Sequence, residues 1–207
     1  MSEIEIAYYG HSCFKVCYRG NSILFDPYED DSVPGLKLPE GMTADAVYCS
    51  HDHADHSAEH LIHTSGINPF PLFRASVPHD DQGGRMRGFC DMTFLKVGTV
   101  TVVHMSDIGR EPNEEEYEAL QRADVLMIPV GGYYTIDSTM ASKIIDRVGA
   151  KLNILMHFRK GAYGYDVLDT IDHVKESFPD LKQLPMERIV FDEMHVPDEI
   201  ITLEPIQ

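Results

Sequence analysis

Three imidazoles and two carboxylates fall within six consecutive residues, His51-Asp52-His53-Ala54-Asp55-His56. Neutral imidazole and carboxylate are the groups that hold divalent transition metals, with zinc to nitrogen near ~2.0 to 2.1 Å. No ordinary structural job requires so many of them together. The apolar run from Ala44 to Cys49 reads as a strand, and in extended backbone His51 and His53 point to one side, where they can grip one ion. A turn into helix just afterwards would aim Asp55 and His56 at a second position. Two such ions, about 3.5 to 4 Å apart, bind one water from both sides and make it a nucleophile at neutral pH. The bland alternative is a solvated loop with chance histidines, which suits one histidine far better than this cluster.

Such a cluster needs elements to carry it. Ile4 to Tyr9, Cys13 to Tyr18 and Ser22 to Phe25 read as short antiparallel strands, parted by Gly10 and the Arg19-Gly20-Asn21 turn. Asp26-Pro27 ends the third, because proline cannot continue a ladder, and leaves a carboxylate at a strand end. Asp30 to Met42 reads as a loop able to wall a pocket. Ala58 to His63 is expected as a short helix and Ile67 to Phe73 as a strand broken by Pro69 and Pro71. Val77 to Gly88, with His79, Asp80, Asp81, Arg85 and Arg87, has the composition of a functional loop. Phe89 to Val97 and Thr99 to His104 form a hairpin through Gly98. Pro112 to Arg122 is a helix with acids at its start, where the dipole favours them. Ala123 to Val130 and Leu152 to Met156 are buried strands. Ser138 to Val148, capped by Asp137 or Ser138, and Asp166 to Ser177, with Val167, Leu168, Ile171 and Val174 on its apolar face, are helices. Arg188 to Phe191 and Ile200 to Leu203 supply closing strands. Antiparallel strands followed by helices alternating with buried strands predict an α/β fold of two sheets face to face with helices outside. His51, Asp107 and His157 each follow on a strand and His79 lies between strands, so one edge of such a sandwich can gather them.

The 207 residues fit a single domain, 1–207. With 17 basic against 34 acidic residues the formal charge is -17, which opposes binding of nucleic acid or an anionic membrane and leaves a small-molecule substrate. The start MSEIEIAYYG carries no leader pattern, and no apolar run approaches the ~20 residues that span a bilayer, so a cytoplasmic location is expected. Cys13 and Cys17 stand roughly 13 Å apart along a strand, too far for a disulfide. Cys49 and Cys90 add no Cys-x-x-Cys pair, and all four read as reduced.

Several short stretches carry a family resemblance in their order and spacing. They are Gly10-His11-Ser12-Cys13-Phe14, Phe25-Asp26-Pro27-Tyr28, Ser50 to His56, His79-Asp80 with Gly83-Gly84 and Arg87-Gly88, His104 to Gly109, Asp124 to Thr135, and Met156-His157. Together they resemble the metallo-β-lactamase superfamily, whose mark is His-x-His-x-Asp-His followed by three isolated ligands. More narrowly they look like the small hydrolases that include ascorbate-6-phosphate lactonase-like proteins. The resemblance implies a four-layer αβ/βα sandwich and two divalent ions, zinc foremost, with manganese or iron also fitting. His51, His53 and His79 would hold the first ion, Asp55, His56 and His157 the second, and Asp107 would bridge them. Asp26 would orient a histidine ligand from behind. His11 would stand by the cleft as a proton donor or orienting group. His104, three residues before Asp107, competes with His79 for the first ion or else supports Asp107, and His79 is preferred. Ser106 replaces the glycine of the family pattern His-x-Gly-Asp, so the backbone there is less free or its hydroxyl reaches a ligand.

The reading is a hydrolase in which a metal-bound hydroxide attacks a small ester, lactone or phosphoester, with Asp55, Asp107 and His11 at the chemistry. A proton for the leaving group would come from His11, Tyr133 or a metal-bound water. Tyr133 and Tyr134 are candidates to line the pocket. Arg85, Arg87, Arg159 and Lys160 lie beside the ligands, where a guanidinium fork suits a phosphate or carboxylate. Surface pairing with the many acids is expected to claim two of those four. His60, His63, His173 and His195 read as surface histidines. The alternatives are a nuclease or phosphodiesterase acting on nucleic acid, opposed by the acidity, and a non-catalytic metal-dependent sensor. Assembly into a homo-oligomer stays open.

Overall fold

Side-chain alternation builds both sheets of the computed structural model, which describes residues 3–207. In chain order the strands are β1 (Glu3–Gly10), β2 (Cys13–Tyr18), β3 (Asn21–Phe25), β4 (Thr43–Ala44), β5 (Ala46–Tyr48), β6 (His63–Thr64) and β7 (Leu72–Pro78). They continue as β8 (Phe89–Val97), β9 (Val100–His104), β10 (Val125–Pro129), β11 (Leu152–Met156), β12 (Lys182–Gln183), β13 (Arg188–Asp192) and β14 (Glu199–Thr202). The first sheet runs β13-β1-β2-β3-β5, antiparallel until β5 joins β3 in parallel. The second runs β12-β14-β11-β10-β9-β8-β7, parallel from β12 to β9 and antiparallel beyond.

Every second residue faces the partner sheet. Ile4, Ile6, Phe14, Val16 and Ile23 of the first sheet share one buried cluster with Val102, Val125, Met127, Leu152 and Ile154 of the second. The opposite faces of β9, β10 and β11 bury Val103, Leu126, Ile128 and Leu155 beneath helices α1 (Glu114–Leu120), α2 (Ser138–Val148) and α3 (Ile171–Val174). The layered α/β sandwich is the one expected from the order of elements. Over the first sheet the outer layer is irregular chain, with Tyr28, Val33, Leu36, Leu38 and Met42 buried in place of a helix.

Helix boundaries follow their caps. Asn113 accepts from Glu116 N while the Glu116 side chain accepts from Asn113 N, a reciprocal box that starts α1. Asp137 accepts from Met140 N to start α2, which ends at Gly149 in the left-handed region.

Three expected elements change. The helix over 166–177 shrinks to Ile171–Val174, because the preceding backbone is bonded across the fold rather than along itself: Asp169 N donates to Gly131 O, Arg159 N to Asp169 O, and Ile171 N to Arg159 O. The strand expected over 67–73 begins at Leu72, just past Pro71, and runs on to Pro78, because a ladder cannot use the two prolines. It therefore delivers His79 directly from a strand end. The helix expected over 58–63 is a single 3-10 turn, Glu59–Leu61, after which His63 pairs in β6. All four cysteines are free. Among the described residues no helix is long and apolar enough to cross a membrane.

The irregular layer clamps a second loop. Gly164 N donates to Pro34 O at 3.0 Å, and a methyl on Gly35, whose φ is 72°, would stand 2.1 Å from Ala162 O. Gly35→Ala is therefore expected to lower unfolding free energy by at least about 1 kcal/mol from the left-handed backbone alone. Urea unfolding measures the loss, and faster amide exchange at Gly164 locates it.

Candidate metal centre

One edge of the sandwich collects the predicted residues. His51 to His56 follow β5, His79 follows β7, Asp107 follows β9, and His157 follows β11. His11 occupies the β1–β2 turn and Asp26 follows β3. After His51 the chain makes turns, with His56 N donating to His53 O at 2.8 Å, and these turns, without a helix, bring Asp55 and His56 to the second position. Five non-glycine residues at this edge hold positive φ: His11 at 54°, Asp26 at 46°, Ser106 at 54°, Tyr133 at 53° and His157 at 57°. Each conformation costs about 1–2 kcal/mol and persists only where surrounding structure enforces it. Ser106 thus adopts the left-handed backbone that a glycine would take without that cost.

Potential ligand atoms of His51, His53 and His79 lie within 4.8 Å of one another, as do those of His11, Asp55, His56 and His157, and those of His51, His56 and Asp107. Asp107 sits between the first two sets. Its Oδ2 is 3.2 Å from His56 Nε2, 3.2 Å from His157 Nε2 and 3.6 Å from His79 Nε2. His11, expected beside the cleft, is within the second set, its Nε2 3.1 Å from Asp55 Oδ2.

The hydrogen bonds behind the cluster fix which nitrogens face inward. Ser50 Oγ has one proton and gives it to Asp26 Oδ2 at 2.7 Å, so the 2.9 Å contact with His51 Nδ1 makes that nitrogen the donor. His56 Nδ1 likewise donates to Asp26 Oδ2 at 2.8 Å, and Ser50 N donates to Asp26 Oδ1 at 2.7 Å. In its neutral form each ring is left presenting Nε2 as a lone pair. Those two atoms, His157 Nε2 and Asp107 Oδ1 are buried without a hydrogen-bond partner. Several unpaired acceptors facing one another in a dry pocket are costly unless a cation joins them. The donor set therefore fits a divalent transition ion.

The electrostatics agree. Burial, reinforced by neighbouring imidazoles, lowers His11 to about 4 and His51 to about 3, so both are neutral at pH 7, the state that ligates. Burial opposes ionisation of Asp107, yet the rings of His157 and His56 hold its carboxyl well below the usual range. His56 is the exception, where burial is outweighed by Asp107 and Asp26 and protonation is favoured. A cation entering there displaces a proton.

His104 takes no part in the cluster. Its Nδ1 accepts from Ser106 N at 3.1 Å and its Nε2 donates to Ser12 O at 2.9 Å, while Phe25 stacks on the ring at 5.2 Å. Arg159 pairs with Asp166 at 3.2 Å and Lys160 pairs with Glu204. Tyr133 is 65 % exposed at the mouth, in contact with Tyr134. Three residues here take roles that the sequence alone did not assign. Ser50 ties Asp26 to His51. Tyr165 Oη lies 3.2 Å from Asp55 Oδ2 and donates to Ser32 O at 2.7 Å. Asp80 accepts from the backbone N–H groups of Gln82, Gly84, Met86 and Arg87 at 2.8–2.9 Å. A serine directly before the histidines and an aspartate opening a glycine-rich loop were the available signals.

A family model described as the beta-lactamase superfamily domain matches residues 5–157, from β1 to the last clustered histidine. The chain belongs to the metallo-β-lactamase superfamily. Its similar proteins include a UPF0173 metal-dependent hydrolase of Carboxydothermus hydrogenoformans, 25 % identical over 75 % of this chain and 84 % of that protein. Another, of the same description, from Thermoplasma acidophilum, is 23 % identical over 97 % of this chain and 100 % of its own length. A solved structure from Thermotoga maritima, a candidate zinc-dependent hydrolase of this superfamily, superposes with a TM-score of 0.74 at 23 % identity, covering 97 % of this chain and 98 % of that one. The superfamily fold is thus present over nearly the whole chain.

In this superfamily member Asp80 sets the loop after His79. Burial would raise its carboxyl, but the four N–H donors lower it to about 2. Its contribution to order is therefore complete above the unfolded value near ~3.9 and is lost as pH falls towards 2. Asp80→Ala should speed amide exchange at Gln82, Gly84, Met86 and Arg87 at pH 7. The wild type should show the same change only between pH 4 and 2, read by hydrogen exchange.

Proposed function

We propose that the protein is a metal-dependent hydrolase of small esters, lactones or phosphoesters, working with two divalent ions, zinc foremost. The observation that carries this is the ring of buried, unpaired Nε2 and carboxylate atoms around Asp107. Divalent ions held there supply Lewis acidity and make water a nucleophile at neutral pH. His51, His53 and His79 would form one ligand set, and Asp55, His56 and His157 the other. Asp107, which contacts histidines of both sets, would join them.

The chain's own groups then orient and move protons. Asp26 and Ser50 hold His51 and His56 in the ligating tautomer. Asp55 is the carboxylate within reach to take a proton from an attacking water. His11, neutral at pH 7, fixes that carboxylate through its Nε2–H rather than serving as a cationic acid. Tyr165 keeps its proton, since burial and Asp55 raise it, and its hydroxyl stands at the same carboxylate, where turning its one proton from Ser32 O to a departing oxygen would steady that oxygen. Tyr133, exposed at the mouth, is less well placed for that task. The acidity of the chain favours a small substrate over nucleic acid.

Purified protein is expected to contain about two zinc, manganese or iron ions per chain, and Asp107→Ala to lose at least one. Elemental analysis decides. Asp26→Asn should weaken metal affinity about 10–100-fold without removing a ligand, measured by chelator competition. A screen of lactones, esters and phosphodiesters with and without chelator tests the reaction itself. Turnover that survives complete metal removal would overturn the proposal.

A further inference from the structure

Acidic side chains outnumber basic ones two to one here, 34 to 17, and ten of the 17 Lys and Arg side chains have a carboxylate within 4.0 Å. Arg74 pairs with Asp91, Arg110 with Glu116, and Lys182 with Glu199. Arg87 does not. Among the described residues no carboxylate lies within 4.0 Å of its half-buried guanidinium. It rests instead against two aromatic rings, 5.0 Å from the centroid of Tyr134 and 5.8 Å from that of Tyr133.

Its position is fixed from below. Arg87 N donates to Asp80 Oδ2 at 2.8 Å, Gly88 N to Gly84 O at 3.1 Å, and His79 N to Gly88 O at 3.0 Å. The loop closes on its own base, so Arg87 is anchored to the residue beside His79. An aromatic wall then runs to the other ligand set. Tyr134 meets Tyr165 at 5.7 Å, Tyr165 meets His11 at 5.6 Å, and the Tyr165 hydroxyl reaches Asp55. Met86 and Phe89 add exposed apolar surface beside Arg87 in sequence, at 71 % and 56 % exposure.

A guanidinium held over aromatic rings forms no hydrogen bond to them through its N–H fork, and that fork matches two oxygens of a carboxylate or phosphate. Its positive charge, not cancelled by a carboxylate, adds to that of any ions held by the cluster in attracting an anionic group to the mouth. We infer that Arg87, seated on Tyr133 and Tyr134, determines specificity by receiving an anionic substituent of the substrate, a carboxylate or a phosphate, while the scissile bond lies over the ligand cluster. This rests on the hydrolase reading for the second half only. The anion seat itself requires no turnover.

The test uses metal-loaded protein and three versions of one aryl ester, bearing a carboxylate, a phosphate or a neutral methyl ester away from the scissile bond. Wild type should prefer at least one anionic version over the neutral one by about 10–100-fold in kcat/KM, the range expected for one charge-assisted contact. Arg87→Met should bring that ratio close to one, chiefly through KM, and Arg87→Lys should restore part of it. The favoured anion identifies the group. A wild type without preference, or a preference unchanged in Arg87→Met, would overturn the inference. A second measurement separates it from the hydrolase reading: calorimetric titration of succinate and of inorganic phosphate into both proteins at equal metal content. Binding about 10–100-fold weaker in Arg87→Met supports the seat even if no ester is cleaved, and equal affinities refute it even if esters are.

Discussion

Unpaired lone pairs held in a dry place are the constraint on which this molecule turns. The carboxylate of Asp107 is buried against His56 and His157 at 3.2 Å and His79 at 3.6 Å, and the inward nitrogens of His51, His56 and His157 have no hydrogen-bond partner. Folding gathers these atoms at a cost that apolar packing elsewhere must offset. Removing one member would leave the rest still desolvated and less balanced in charge. The cluster therefore behaves as a unit: His51 is neutral and Asp107 ionised, the states that bind a cation, and His56 reaches its ligating state when an entering cation displaces its proton.

The rest of the site holds those atoms in place from behind. Asp26 serves two histidines at once, taking the Nδ1 proton of His56 directly and acting on His51 through Ser50. Left-handed backbone at His11, Asp26, Ser106 and His157 turns strand ends sharply into the pocket. Such conformations survive because the ladders and the core between the sheets over-determine the path of the chain. Close approach matters as well. A methyl on Gly109 would stand 2.3 Å from Asp80 N, and one on Gly131 would stand 2.0 Å from His157 O. Glycine at these two points lets neighbouring strand ends meet closely enough for their histidines to converge.

Membership of the metallo-β-lactamase superfamily accounts for the sandwich, and three separate segments of the chain build the mouth beside the cluster. The loop cradled by Asp80, the tyrosines after β10, and Tyr165 on the segment that failed to become helix form one wall. That failed helix is instructive: strand-end backbone at Arg159 and Gly131 claimed the hydrogen bonds it needed. Irregular chain was thereby left facing the site, where it carries a hydroxyl to Asp55.

From sequence alone, the dense His51 to His56 motif, the alternation of β1, β2, β10 and β11, and the position of His157 at a strand end were enough to specify ligand types and the sandwich. These signals are local. Periodicity and ligand chemistry are properties of a few neighbouring residues, and they do not depend on what packs against them. Tertiary structure alone decided that His79 and not His104 joins the cluster, because only folding brings Ser12 O and Ser106 N to the two nitrogens of His104. It also decided that His11 reaches Asp55 across 44 positions, that Tyr165 reaches it across 110, and that Arg87 lies over tyrosine rings while Arg159 meets an acid. Those outcomes depend on which distant groups reach a given polar atom first, and a pattern read along the chain carries no measure of that distance.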